Sequence, residues 1–366
     1  MKIAIDANTL AYKPAGITKT LLYLMDNVAE LVACFTGVCF FSKRRPPVND
    51  FAFATEKIKY WRHLPFSIGE RLLYRKIADC DFIHYHANGD VLPFAPKEKN
   101  VLVLHDVLPL AIPGYFKNEK RRAKYMRNTQ QSLDHAGIVF TPSEYSRKEI
   151  EKFFRVTCPL IVLPFAAAIE TPEGWQLPPV AGDRPYYIYA GGYDRRKGMD
   201  KILQSFMTSP ERRKLYFVGE QHDFSYEFRL LANKAKDMGI LEEKGYVGQM
   251  ELVRLIKGAR ALLYPSKLEG FGLPPLEAMK LGTPVFATKG TSVPEVCGDA
   301  CIYFEPDDET DLIVKIREFE RGGEALRQEL INRGYAQSAM FSWPKAAQKY
   351  LAALRELCGA KGKMAT

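Results

Sequence analysis

Short apolar runs recur along the chain, and between them apolar positions fall three and four residues apart. In the first half KIAIDA (2–7), GVCFFS (37–42), FIHYHA (82–87), NVLVLHD (100–106) and GIVFTPS (137–143) read as strands. The stretch from Thr18 to about Leu31, apolar at Leu21, Leu22, Met25, Val28 and Leu31, reads as a helix between the first two. A second series follows: YYIYAGG (186–192), KLYFVGE (214–220), ARALLYPS (259–266), TPVFATK (283–289) and CIYFEP (301–306), with helices such as 252–258 and 275–281 between them. Strands alternating with helices predict parallel sheets covered on both faces. Residues 164–185 break the rhythm with five prolines and little periodicity, as expected of a linker.

The fold class expected is therefore α/β: two Rossmann-like, doubly wound domains facing each other across a cleft. The boundaries are 1–165, a linker at 166–184, 185–343, and a closing helical segment at 344–366. Within that last segment a helix is expected from Pro344 to Leu357. A length of 366 residues suits two such domains.

Composition adds bounds. Lys and Arg outnumber Asp and Glu by 52 to 43, a net charge of +9 that suits an anionic partner: nucleic acid, a phosphorylated ligand or an anionic membrane face. The seven cysteines form no disulfide framework, which points to a reducing, cytosolic setting. Cys297 and Cys301 have metal-like spacing with no second pair nearby, so no metal site is expected. The first residues read as a strand rather than a signal peptide. The uncharged stretch 31–42 is too short to span a bilayer.

Candidate chemistry gathers in SKLEGFGLPPLEAMKLGTPVF (266–286). A strand ends at Tyr264, a Gly-rich loop carries Glu269, and a helix expected to begin at Pro275 carries Glu277 in its first turn. No side chain there offers a capping oxygen, so the helix N-terminus suits a phosphate or sugar oxygen. The two carboxylates suit sugar hydroxyls, as in a sugar nucleotide. The same stretch also reads as a Gly/Pro loop with one solvated acid and one suited to the helix dipole.

At a second strand-to-helix turn, YAGGYDRRKGMDKIL (189–203), Arg195, Arg196 and Lys197 suit a diphosphate, and a solvated basic loop is the alternative. In the first half, His105 and Asp106 end an apolar strand, with functional and structural readings side by side. His84 and His86 share one strand face and read as mostly structural. Gly16 and Ile17 lie in the turn joining the first strand to its helix.

These residues resemble the retaining glycosyltransferases of family 4 (glycosyl transferases group 1), which have the GT-B fold. The likeness is carried by Glu269 and Glu277 in PSKLEGFGLPPLEAMKLGTPVFATKGTSVPEVCGDACIYFEPDD, and by YIYAGGYDRRKG and GYVGQMELVRLIKGARALLYPS. HYHANGDVLP, VLHDVLPL, FTPSEYSRKEI, the Gly16-Ile17 turn and the closing FSWPKAAQKYLAAL extend it over nearly the whole chain. Where that family often has Gly-Ile-Gly-Arg-Tyr, this chain has Gly-Ile-Thr-Lys-Thr.

The resemblance implies that Glu269 holds donor-sugar hydroxyls on the reacting face. Phe271, Gly272 and Leu273 would present backbone amides, and Glu277 would bind the nucleotide ribose. Arg196 and Lys197 would bind the diphosphate, and His105 a sugar hydroxyl near the acceptor, beside Gly16 and Ile17. It implies retaining transfer of a hexose, with mannose the leading choice, from a GDP- or UDP-hexose to a glycan or polyprenyl-linked glycan in cell-surface polysaccharide synthesis, as in lipopolysaccharide. No divalent metal and no other cofactor is expected.

The alternatives are a sugar-nucleotide epimerase of the same fold and a nucleic-acid-binding protein; the latter lacks a recognised motif, so no nucleic acid is expected. The protein is expected in the cytoplasm. Basic segments at 43–76 and 117–127 add an expected peripheral contact with an anionic membrane at its inner face.

Overall fold

The computed structural model describes residues 1–8, 16–41, 54–59, 66–86, 91–170, 185–192, 195–220 and 225–364. The chain forms two compact units, Met1–Phe165 together with Ser342–Thr366, and Ala166–Phe341. Half of the basic segment 43–76 and most of the proline-rich stretch lie outside the described residues.

The first unit holds strands β1 (Lys2–Asp6), β2 (Thr36–Phe41), β3 (Ala54–Lys59), β4 (Phe82–His86), β5 (Asn100–Val103), β6 (Ile138–Thr141) and β7 (Leu160–Val162). Its helices are α1 (Gly16–Leu31), α2 (Phe66–Ile77), α3 (Glu119–His135) and α4 (Glu144–Phe153). All strand pairs are parallel, in the order β3-β2-β1-β4-β5-β6-β7. Every residue of β4, β5 and β6 is buried, which is why they read as continuous apolar runs. Asn118 and Ser143 cap α3 and α4 by accepting from backbone N–H groups in the first turn.

The second unit runs β8 (Tyr186–Ala190), α5 (Met199–Thr208), β9 (Lys214–Val218), α6 (Tyr226–Asp237), β10 (Leu241–Gly245) and α7 (Gln249–Lys257). It continues with β11 (Leu262–Tyr264), α8 (Leu273–Lys280), β12 (Val285–Thr288), α9 (Val293–Cys297), β13 (Ile302–Phe304) and α10 (Glu309–Ala339). This sheet is again parallel, ordered β10-β9-β8-β11-β12-β13. Tyr187, Phe206, Phe217, Phe286 and Phe319 anchor its core. The last helix, α11 (Trp343–Met364), belongs to the first unit and packs on α1. There Trp343 stacks on Tyr23 and Phe165 at 5.5 and 5.8 Å, and Tyr350 is fully buried against Phe140.

Several expectations change. The sheets gain β3, β7 and β10, all at sheet edges: β3 reads ATEKIK and β10 LEEKG, with little apolar content, and β7 is an apolar run of only three residues, LIV. Helix α1 begins at Gly16, so Gly16 and Ile17 open the helix instead of forming a turn before it. Helix α8 begins at Leu273, two residues before Pro275, because Gly272 supplies the left-handed cap (φ 118°) and Pro274 fits the first turn. Glu277 therefore sits in the second turn, not the first. Helix α11 runs to Met364, well past Leu357. Ala166–Ile169, where a linker is expected to begin, are buried, and the Ile169 carbonyl accepts from Lys280.

In each sheet the strand order reverses once, between β1 and β4 and between β8 and β11. The loops at the carboxyl ends of such strand pairs line the ligand crevice of open α/β sheets. Arg196, Lys197 and Glu269 lie there in the second unit and Gly16 and Ile17 in the first, while His105 follows β5, the next strand along.

Candidate active site

In the second unit, two loops leave neighbouring strands. After β8 the chain passes Gly191 and Gly192 and forms a tight turn at Arg195–Lys197, and Gly198 caps α5. After β11 it runs from Pro265 to Phe271 before α8. The two loops touch closely: a Cβ on Gly198 would meet the Pro265 carbonyl oxygen at 2.8 Å, and Gly198 also has φ 63°. Only glycine suits both demands. The Lys267 N–H donates to the Arg196 carbonyl at 3.3 Å, and the Arg196 guanidinium donates to the Leu268 carbonyl at 2.7 Å.

Glu269 is the point of convergence. Its Oε1 accepts from Lys197 Nζ at 2.5 Å and from Ser266 Oγ at 2.6 Å, with Arg196 at 3.3 Å. The backbone is pinned as well: the Glu269 N–H donates to Thr291 Oγ1 at 2.9 Å, and the single Ser292 hydroxyl proton is shared between the carbonyls of Glu269 and Phe271, at 2.9 and 2.8 Å. Burial alone would raise the Glu269 carboxyl, but the charges of Lys197 and Arg196 and the hydrogen bonds from Lys197 and Ser266 hold it at about 2. It is ionised at neutral pH and acts as an acceptor. Tyr264 lies against the same carboxylate, and burial and the Glu269 charge push its hydroxyl well above its ordinary value.

Thr291 adopts φ 55°, in the left-handed region, which is rare for a β-branched side chain. The bond from Glu269 to its hydroxyl is made in that conformation. Such local strain is characteristic of functional sites.

Helix α8 follows the glutamate loop. No side chain caps it, and Pro274 and Pro275 remove two N–H groups, so the amides of Gly272 and Leu273 are the donors at its mouth. Phe271 is buried, edge-on to Phe341 at 5.9 Å. Glu277 is buried in α8. Asp307 pairs with Lys267, and Asp308 caps α10. Cys297 and Cys301 are both free and buried. Among the described residues no cluster of three or more His, Cys, Asp or Glu side chains is arranged to hold a metal.

The first unit holds the other candidates. His105 lies just past β5 and is buried, its ring edge-on to His86 at 4.7 Å and tilted over Phe165 at 5.3 Å. Burial pushes its pKa down to about 4, so the ring is neutral at pH 7. Gly16 and Ile17 are exposed at the start of α1. Ile17 joins His105 through shared neighbours: Thr20 Oγ1 donates to the Ile17 carbonyl at 2.8 Å and contacts His86 Nε2 at 3.0 Å.

The structure thus brings Arg196, Lys197, Glu269, Phe271, Gly272 and Leu273 onto one loop cluster, with Glu277 in the helix that follows. His105, Gly16 and Ile17 form a second group. Sequence reasoning misses Ser266, Thr291 and Ser292, which hold Glu269. Ser266 had a usable signal three residues before Glu269; Thr291 had none, because its role lies in its backbone conformation.

Comparison with known proteins bears on this geometry. The model of the glycosyl transferases group 1 matches residues 176–337. The O-antigen chain mannosyltransferase B of Escherichia coli is 28% identical over 393 residues, covering 98% of this chain and all of that protein. Among solved structures, sucrose-phosphate synthase from Thermosynechococcus elongatus superposes with a TM-score of 0.77 at 18% identity, covering 98% of this chain and 99% of the other. Anabaena HepE in complex with UDP-glucose gives 0.72 at 16%, covering 97% of this chain and 100% of that one. The parallel sheets, the loop cluster at the β8/β11 reversal and these likenesses together identify residues 176–337 as a glycosyl transferases group 1 domain and the chain as a glycosyltransferase of the GT-B fold.

Proposed function

We propose that this glycosyltransferase moves a mannosyl group, with retention of configuration and without a divalent metal, from a nucleoside diphosphate sugar to a hydroxyl of a glycan or polyprenyl-linked glycan. The observation that carries the reading is the Glu269 carboxylate held by Lys197, Arg196 and Ser266 at the carboxyl ends of β8 and β11. Before the donor arrives, the carboxylate pairs with both cations and offsets one of their two charges. The incoming diphosphate takes over Lys197 and Arg196, and the released carboxylate accepts hydroxyls of the donor sugar. As the glycosidic bond breaks, charge grows on the leaving diphosphate. Lys197, Arg196 and the Gly272 and Leu273 amides stabilise it in a partly dry loop cluster. Being ionised, Glu269 serves as an acceptor and not as a general acid.

Glu277 binds the nucleotide ribose in this reading. His105, neutral by burial, hydrogen-bonds a sugar hydroxyl, and the Gly16–Ile17 end of α1 meets the acceptor. Mannose is supported by the name of the Escherichia coli relative. The HepE complex supports a nucleotide-sugar donor, leaving GDP and UDP both open as the base-bearing carrier. Helix α3 presents Lys120, Arg121, Lys124 and Arg127, all exposed, with Lys117 just before it; they suit an anionic membrane surface carrying a lipid-linked acceptor. Among the described residues no helix is long and apolar enough to cross a membrane.

The test is nucleoside diphosphate release from GDP-mannose and UDP-hexoses, with and without a polyprenyl-linked glycan. Release that needs the acceptor, survives excess EDTA and yields an α-linked product supports the reading. Release without acceptor favours an epimerase. Loss with EDTA, restored by Mg²⁺ or Mn²⁺, removes the basic pair as the leaving-group stabiliser.

A further inference from the structure

His84 and His86 are fully buried in the first unit, yet neither takes part in the mechanism above. Their hydrogen bonds have a direction that the atoms themselves fix. Thr20 has one hydroxyl proton, and the Ile17 carbonyl receives it at 2.8 Å. Toward His86 Nε2, at 3.0 Å, Thr20 can only accept, so Nε2 carries the proton. Burial keeps His86 neutral, which leaves its Nδ1 bare. That nitrogen lies 3.1 Å from His84 Nε2, which must therefore donate. His84 is neutral by burial too, and its own bare Nδ1 accepts the Tyr350 hydroxyl at 2.9 Å. Thr20, His84, His86 and Tyr350 are each at most 1% exposed, so water does not compete.

We propose that Tyr350, His84, His86 and Thr20 form a one-way hydrogen-bond chain that runs from α11 to the first turn of α1 and sets that turn for the acceptor. Every proton points the same way, from the last helix of the unit to its first. Reversing any one link leaves a buried donor facing a donor or an acceptor facing an acceptor. Tyr350 and Thr20 are accordingly positioning residues that act through Ile17. His86 also fixes the edge on which His105 packs. The inference rests on the reading that the Gly16–Ile17 end of α1 meets the acceptor.

Two measurements test it on the full-length protein. In protein labelled with ¹⁵N-histidine, long-range proton–nitrogen correlation should show both His84 and His86 as Nε2–H tautomers; an Nδ1–H form of either overturns the chain. In kinetics, Thr20→Val and Tyr350→Phe should each raise the acceptor KM about fivefold, the scale of one net hydrogen bond. The donor KM should hold, and Thr20→Ser should restore the acceptor KM. An unchanged acceptor KM, or equal rises for donor and acceptor, overturns the positioning role. Ile17→Glu, at an exposed site, separates the two levels. If it raises the acceptor KM while Thr20→Val does not, the chain fails and the acceptor reading stands. If Ile17→Glu has no effect, the acceptor reading fails and the positioning role falls with it.

Discussion

The two units bury polar groups at equivalent places in their sheets by opposite means. At the β8/β11 reversal the buried groups are charged, a carboxylate against two cations, with the carboxyl held at about 2. Beside the β1/β4 reversal, on β4 and just past β5, they are neutral imidazoles, with His84 and His105 lowered to about 3 and about 4 by burial. A buried ion pair stays useful because an anionic ligand can exchange into it. A neutral chain has no charge to trade and holds geometry instead. Under the proposed function, the contrast gives ligand exchange to the second unit and shape to the first.

The largest test of this contrast is Glu269→Gln. Turnover should fall by roughly 10²–10³, the scale of losing one transition-state contact in a dry site. Affinity for free nucleoside diphosphate should nonetheless rise, because Lys197 and Arg196 no longer have an internal anion. Calorimetric titration that shows weaker nucleotide binding in this variant would remove the exchange account.

Next come Arg196→Ala and Lys197→Ala. Each should raise the donor KM about tenfold, in line with a charge-assisted hydrogen bond, and the double variant should be nearly inactive. Steady-state kinetics with varied donor is the check. Equal effects on donor and acceptor would mean that the loop has collapsed.

A third test uses acid. The His105 pKa is lower folded (about 4) than its ordinary 6.5, so below 6.5 the unfolded chain binds more protons and stability falls as the pH drops toward 4. His84 extends the window to about 3. Over its full window the loss is roughly 3 kcal/mol for His105 and roughly 5 kcal/mol for His84. Glu269 has the reverse origin: its contribution is complete above 4.5 and is lost as the pH falls through about 2. Hydrogen exchange between pH 7 and 4.5, resolved by peptide, should therefore show the first unit loosening while the second holds. Simultaneous loosening would contradict the comparison.

The smallest effect is expected of Thr291→Gly. Removing the left-handed strain, worth about 1–3 kcal/mol, should offset the lost hydrogen bond of about 1 kcal/mol, so the melting temperature should move little. Turnover should still fall a few-fold as Glu269 loosens. A large drop in melting temperature would make Thr291 a structural residue only.

Much of this architecture was legible in the sequence, and what was not has physical causes. Strands buried on both faces, such as YYIYA at β8, announce themselves by composition alone. LEEKG at β10 does not, because an edge strand is stabilised by its neighbour rather than by its own apolar content. Glu269, Arg196 and Lys197 could be singled out because glycines and clustered charge mark a strand-to-helix turn. Their pairing could not, since 72 residues separate Lys197 from Glu269. The histidine chain was further out of reach: His84 meets Tyr350 across 266 residues, and nothing local to FIHYH signals a tyrosine partner.

The return of α11 to the first unit has a consequence for how the protein is made. Synthesis proceeds from the N-terminus, and domains generally fold as their residues emerge. Here Trp343 and Tyr350 are translated after the whole of Ala166–Phe341. Until they arrive, Phe165 lacks its stacking partner and His84 its proton donor. The unit begun first is thus finished last. A chain cut at residue 341 would carry every strand of the second sheet and a first sheet still waiting for its final helix.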